Sequence, residues 1–257
     1  MIVNAAFGDD PGRWPLPAAS TPEELWLRAV VAGGQGRYAS GYADLATLRR
    51  AHRFGALASL AHSTQASFLR QLGWHDKARG WDGQALAVAG DHDDEARCDA
   101  LIGLAADALG VGRFTASAAA LTRARDLLDD APGRLPVRLA WVSAELAMAT
   151  GDGAAAVAHA EQAVAHADAF GSARHRAKSD VVHAAALCSD GQIERSRALA
   201  DSALEATLRL GLVPLAWATA SLLAEIGSGN HTAEEVVGIR GECADTVRRR
   251  GGVLFGR

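Results

Sequence analysis

The chain of 257 residues has few aromatic residues, 5% of the total, and lacks the β-branched and aromatic runs that mark strands. This scarcity argues against a sheet-based fold. Lysine is almost missing: only Lys77 and Lys178 stand among the 26 basic residues. Such a skew toward arginine accompanies GC-rich genomes, actinobacterial ones among them, and does not itself signal phosphate chemistry. With a net charge of −4 there is no basic footprint for nucleic acid or an anionic membrane. Cysteine is scarce as well. Cys98, Cys188 and Cys243 lie far apart without CxxC spacing, which argues against a disulfide framework or a zinc site and favours reduced thiols in a cytoplasmic protein. The N-terminus lacks the basic start and apolar block of a signal peptide. The uncharged run from Gly211 to Ala224 is too short to span a bilayer and holds Pro214.

Catalytic motifs are missing too. No GxSxG, GxxxxGK or HExxH occurs, so no catalytic residue, cofactor or metal site is expected. His159 and His166 share a helix face but have no third ligand. The acidic stretch "GDHDDEARC" from Gly90 lacks calcium-loop spacing and reads as the first turn of a helix capped by Asp93 or Asp94.

What the chain has in quantity is alanine, glycine and a long internal period. Gly36, Gly73, Gly112, Gly151, Gly191 and Gly227 each precede a helical run, at intervals of 37, 39, 39, 40 and 36 residues. Seven residues before them stand Ala29, Ala66, Ala105, Ala144, Ala184 and Ala220. Five residues after the first five stand Gly41, Ala78, Ser117, Ala156 and Ser196, all small. Two small residues facing each other across a glycine turn let two antiparallel helices approach closely. Each unit is therefore expected to be a helical hairpin, with helix A before the reference glycine and helix B after it. Start and stop signals agree: Thr21 or Ser20 caps a helix opening on Pro22, and Gly55, Gly171, Gly211 and Gly251 close hairpins. The expected layout is an irregular segment 1–21, a repeat domain 22–250 and a tail 251–257.

"QLGWHDKARGWDGQAL", "GVGRFTASAAALTRA" and "SDGQIERSRALADSAL" resemble the turn and second helix of tetratricopeptide repeats, with Ala85, Ala124, Ala163 and Ala203 at the later small position. The period is stretched and is similar to that of bacterial signal-responsive regulators; HEAT-like repeats share the length but not this turn. The sixth unit departs most, inserting residues after Gly227, as a terminal cap does. The resemblance implies an all-α, right-handed superhelix of about six hairpins whose concave wall is lined by the A helices. In repeats one and three, Tyr38 and Phe114 are expected to plug the gaps between neighbouring hairpins.

The resemblance also implies groove positions on that wall: Trp26, Arg70, Arg138, Trp141, Glu145, Lys178 and Trp217, with Glu23, Ser63, Ser67, Asp99, Ile102, Val181 and Ser221 beside them. The three tryptophans each lie ten residues before a reference glycine. They are either anchors for a partner or wedges between helices A and B, the commoner fate of such rings. Arg70, Arg138 and Lys178 suit a carboxylate clamp, although Asp99 and Glu145 share the wall. The expected function is a non-catalytic interaction module for a protein or peptide partner, with a role in signalling or transcription and no direct contact with nucleic acid or membrane. The alternative is a small-molecule or lipid sensor with an enclosed pocket around Trp141, Met148 and Val181. Self-association through the end repeats is the third reading. The arginines of "RRRGG" are expected to offset the negative end of the last helix, with "VLFG" covering the final hairpin or fraying.

Overall fold

The computed structural model describes residues 1–90, 93–128 and 133–256. Asp91 and His92 of the acidic stretch therefore lie outside the described residues. Within the described residues the chain forms α-helices and no strand. In chain order these are α1 (Ile2–Phe7), α2 (Pro22–Gly34), α3 (Tyr38–Ala51), α4 (Ala56–Gln71), α5 (His75–Ala89), α6 (Asp94–Gly110) and α7 (Phe114–Arg125). They continue as α8 (Arg134–Ala149), α9 (Gly153–Phe170), α10 (Ala173–Ser189), α11 (Ile193–Arg209), α12 (Val213–Ile226) and α13 (Ala233–Arg249).

The ends of these helices follow from the local residues. Thr21 caps α2 by accepting from the Glu24 amide, and Asp93 caps α6 by accepting from the Ala96 amide. At α13, Thr232 and Glu235 cap each other's backbone, while Asp201 of α11 holds the inserted loop through Ser228 and the Gly229 amide. All six reference glycines, and the closing glycines at 55, 171, 211 and 251, have φ between 66° and 89°. A side chain is strained in that region, so glycine sits where the chain must reverse.

The small residues do what their spacing predicts. The six alanines from Ala29 to Ala220 are fully buried, as are Ala78, Ser117, Ala156 and Ser196 across the turns. Gly41 and Gly33 leave room for the Phe68 ring, which a Cβ at either position would meet within 2.6 Å. Helices therefore pack in chain order: α2 on α3, α4 on α5, and so on to α12 on α13.

One feature of the packing is not that of an open array. The helices preceding the turns, α2, α4, α6, α8, α10 and α12, also touch one another consecutively, and α12 meets α2. The two ends of the chain thus close on each other. Tyr38, Phe68 and Leu72 share one core with Ala244, Val247 and Leu254. The Ala39 amide donates to the Arg250 carbonyl at 3.0 Å, and Arg250 donates to the Gln35 carbonyl at 2.6 Å. The tail crosses to the second pair, where the Phe255 amide donates to Leu72 and Trp74 Nε1 donates to Val253.

Three expectations need correction. Segment 1–21 is not wholly irregular: α1 buries Ile2, Ala5 and Ala6 across α2 and α10. Six residues carry too little periodicity to announce a helix, and this one is held by tertiary contact. The tail covers the first pairs rather than the last one. Tyr38 is fully buried, as expected, but Phe114 is 37% exposed. The difference lies in cover, because Tyr38 is roofed by α13 and the tail and, among the described residues, no such cover reaches Phe114.

Removing residues 251–257 should lower stability by about 2–4 kcal/mol, through loss of two backbone-accepted hydrogen bonds and the buried Leu254 side chain. Urea denaturation of the truncated chain measures this. An unchanged midpoint would mean that the ends do not hold each other.

Candidate functional site

Because consecutive inner helices touch and the last meets the first, they surround a cavity of about 500 Å³ that stays partly open to solvent. Every inner helix contributes side chains to its wall, and α1 adds Phe7. All seven residues singled out from the sequence line it: Trp26, Arg70, Arg138, Trp141, Glu145, Lys178 and Trp217. Ser63, Ser67, Asp99 and Val181 line it as well, while Glu23, Ile102 and Ser221 do not. Ile102 is fully buried in the core between α6 and its neighbours, and Ser221 is spent on the Trp217 carbonyl. Met148, named with Trp141 and Val181 for an enclosed pocket, is also on the wall.

The tryptophans both line the cavity and knit its wall. Trp26 Nε1 donates to Thr64 Oγ1 at 3.0 Å, and Trp141 Nε1 donates to Ser179 Oγ at 2.8 Å. In each case the acceptor lies 38 residues ahead, on the next inner helix. Trp141 is 6% exposed, and its ring stacks on His175 at 5.4 Å with Lys178 Nζ 4.3 Å from its centroid. Trp217 packs into the core shared by the two chain ends.

The charged wall is arranged unevenly. Arg70 is committed to Asp82 and Asp107, both fully buried behind it. Burial alone would lower the Arg70 pKa, but these carboxylates raise it above its ordinary value. Burial, and then the Asp107 charge, push Asp82 up to about 7 against the pull of Arg70. Asp99 answers both Arg134, at 2.9 Å, and Arg138. Glu145 reaches Lys178 at 3.8 Å.

Arg174 is different. Among the described residues it makes no ion pair or hydrogen bond, its Nε is buried, and its guanidinium lies 5.9 Å from the Phe7 centroid. Burial, followed by repulsion from Arg138 and Arg134, pushes it down to about 10. Burial likewise brings Arg138 to about 10, with Arg70 adding to the effect.

Sequence reasoning passed over Arg174. A signal was nevertheless there: α8 opens on Arg134 with Arg138 four residues on, and α10 opens with Arg174 followed four residues later by Lys178. Cations in a first turn face the positive end of the helix dipole, and like charges four apart repel. Each such pair costs a helix about 0.2–0.5 kcal/mol, so two of them at equivalent places ask for a reason. The expected clamp of Arg70, Arg138 and Lys178 is correspondingly weakened, because each of those three already faces a carboxylate.

At the same end of the cavity α1 closes over the wall. The Ala173 amide donates to the Gly8 carbonyl at 3.0 Å, and Phe7 packs against Trp26, Phe170 and His175. No family model and no curated protein matches the chain.

His175 is 2% exposed and stays neutral, its pKa held well below the ordinary value by burial and then by Arg174, Arg134, Arg138 and Lys178. An unfolded histidine titrates near 6.5, so the unfolded chain takes up a proton there that the native state refuses. The stability from His175 is therefore full above that pH and is lost as pH falls below it. Asp82 has the opposite sign, since its raised pKa loses stability as pH rises toward about 7. Comparing His175→Phe with wild type isolates the histidine. Over pH 7.5 to 5.5 the variant's unfolding free energy should fall less steeply, by about 1.4 kcal/mol per pH unit below about 6.5. Parallel curves would mean that His175 takes up its proton in the native state as it does in the unfolded chain.

Proposed function

We propose that the protein is a non-catalytic receptor that holds a small molecule in the cavity enclosed by its inner helices. The observation that carries this reading is the meeting of α12 with α2, which makes the inner wall the lining of a partly enclosed space. A volume of about 500 Å³ is that of a small-molecule site, and the mixture of tryptophan, aliphatic and a few charged groups is the lining such sites have. A peptide laid along an open concave face, the partner the resemblance implies, fits less well because the approach of α12 to α2 narrows the space that the inner wall surrounds. Self-association through end repeats loses support for the same reason, since α13 and the tail are occupied by the first pairs.

The helices themselves are read as six tetratricopeptide-like hairpins in a right-handed succession that has closed on itself. Support comes from the turn glycines and from the small residues buried on either side of them. Three free cysteines, Cys98 and Cys243 buried, fit a reducing cytoplasm, and the role that goes with such a receptor is a ligand-responsive, regulatory one.

The test uses the neutral fluorescent probe N-phenyl-1-naphthylamine. Wild type should bind about one probe per chain in the micromolar range or tighter, the affinity that burying such an apolar area supports. Ala185 and Ala218 both line the cavity, so Ala185→Phe and Ala218→Phe should each weaken probe binding by about tenfold or more while leaving the circular dichroism spectrum unchanged. Undiminished binding in both variants would put the probe on the outer surface and remove the reading.

A further inference from the structure

We infer that Arg174 and Lys178 form an anion subsite of the cavity, so that its ligand is an amphiphile with a carboxylate or phosphate head on an apolar body. The inference rests on the small-molecule reading above and adds the chemistry of what is bound.

The argument starts from a repeated slot. Glu95 and Asp99 of α6, Arg134 and Arg138 of α8, and Arg174 and Lys178 of α10 are pairs spaced four apart, and the three pairs follow one another at 39 and 40 residues. The period thus places one acidic and two basic pairs side by side on successive inner helices. The acidic pair is used up by its first neighbour: Glu95 contacts Arg134 at 3.3 Å, and Asp99 contacts Arg134 and Arg138. Among the described residues the basic pair of α10 has only Glu145, at 3.8 Å from Lys178 Nζ, and Arg174 faces no carboxylate.

No counter-charge comes from the other side either. The next inner helix, α12, presents Pro214, Leu215, Trp217 and Ala218 to the cavity. The ladder of charges therefore ends on an unanswered guanidinium that borders an apolar wall. Of the charged residues lining the cavity, five are basic and two are acidic, Asp99 and Glu145, in a chain whose net charge is −4. Even after Asp82 and Asp107 are set against Arg70, the wall keeps a positive excess.

A guanidinium that lines the cavity with its Nε buried and, among the described residues, without a partner forgoes two-pronged hydrogen bonds that a carboxylate or phosphate would complete. The first turns of α8 and α10 add the positive ends of their dipoles at the same place. A simple inorganic anion would satisfy the cations but leave the tryptophan and aliphatic wall of the cavity in contact with water. An apolar body fills that space, and a neutral body alone leaves Arg174 unpaired.

The experiment displaces N-phenyl-1-naphthylamine from wild type and from Arg174→Gln with decanoate, decyl phosphate, decan-1-ol and inorganic phosphate. Decanoate and decyl phosphate should displace the probe from wild type at least about tenfold more tightly than decan-1-ol, and Arg174→Gln should remove most of that advantage while leaving decan-1-ol within about twofold. The stronger of the two anionic amphiphiles identifies the head group. Inorganic phosphate should not compete. Because Arg174 is repelled by its neighbours, Arg174→Gln should also melt no lower than wild type in the absence of ligand. Equal displacement by decanoate and decan-1-ol, or an Arg174→Gln variant with wild-type preference, overturns the subsite and leaves the cavity reading intact. Failure of the probe itself to enter the cavity overturns both, and competition by inorganic phosphate at the same concentration as decyl phosphate overturns the amphiphile.

Discussion

The structure depends on the packing of the chain's last helix and tail against its first pairs. Tyr38 and Phe68 fill the space between α3, α4 and α13, and Val247 and Leu254 complete the same core. Without that contact the inner helices would form an arc, and the side chains they carry would face bulk water. With it they face one another. Charges that would be solvated and nearly worthless on an arc become a coupled set in a space of low dielectric. The depressed Arg138 and Arg174 and the elevated Asp82 arise from burial first, and Asp82 owes its burial to the packing of α5 between α4 and α6.

Closure also explains how the wall tolerates its own repulsion. Two like-charged pairs at helix starts and a guanidinium lacking a counter-ion all lower stability. The surrounding shell offsets them with interlocked alanines and with the aromatic cluster of Phe7, Trp141, Phe170 and His175. On the proposed reading, a well-packed outer shell around an incompletely paired interior is the division a binding site needs.

The period, the turns and the small residues were legible in the sequence because each obeys a local rule. A glycine at positive φ, a buried alanine and a capping threonine need only near neighbours to be recognised. The inner wall was legible through the tetratricopeptide-like resemblance, while the repeat spacing alone put Trp26, Trp141 and Trp217 in one slot without saying whether they face the groove or the core. Closure was not, because the contacts that make it, Ala39 with Arg250 and Leu72 with Phe255, join residues about 180 to 210 apart, and no local pattern encodes that meeting. Phe114 shows the converse: it matches Tyr38 in its turn motif, yet burial depends on whether another part of the chain arrives to cover it. Arg174 was missed for a third reason. Its significance is that no carboxylate faces it, and a missing partner becomes visible only when every neighbour has been placed.

The aromatic cluster and the charges form one unit. Trp141 touches the Lys178 ammonium and the His175 imidazole, and His175 in turn touches Phe7, whose ring lies beside the Arg174 guanidinium. The two cations at the end of the ladder are thus flanked by rings, whose faces attract positive charge without neutralising it. This arrangement keeps Arg174 charged and directed without supplying an anion. Were a protein carboxylate there instead, the guanidinium would be saturated and the cavity would have no preference for any ligand charge. The absence of that carboxylate among the described residues, on a wall where each neighbouring cation has one, gives the cavity its polarity: a positive floor at α8 and α10 and an apolar side at α12.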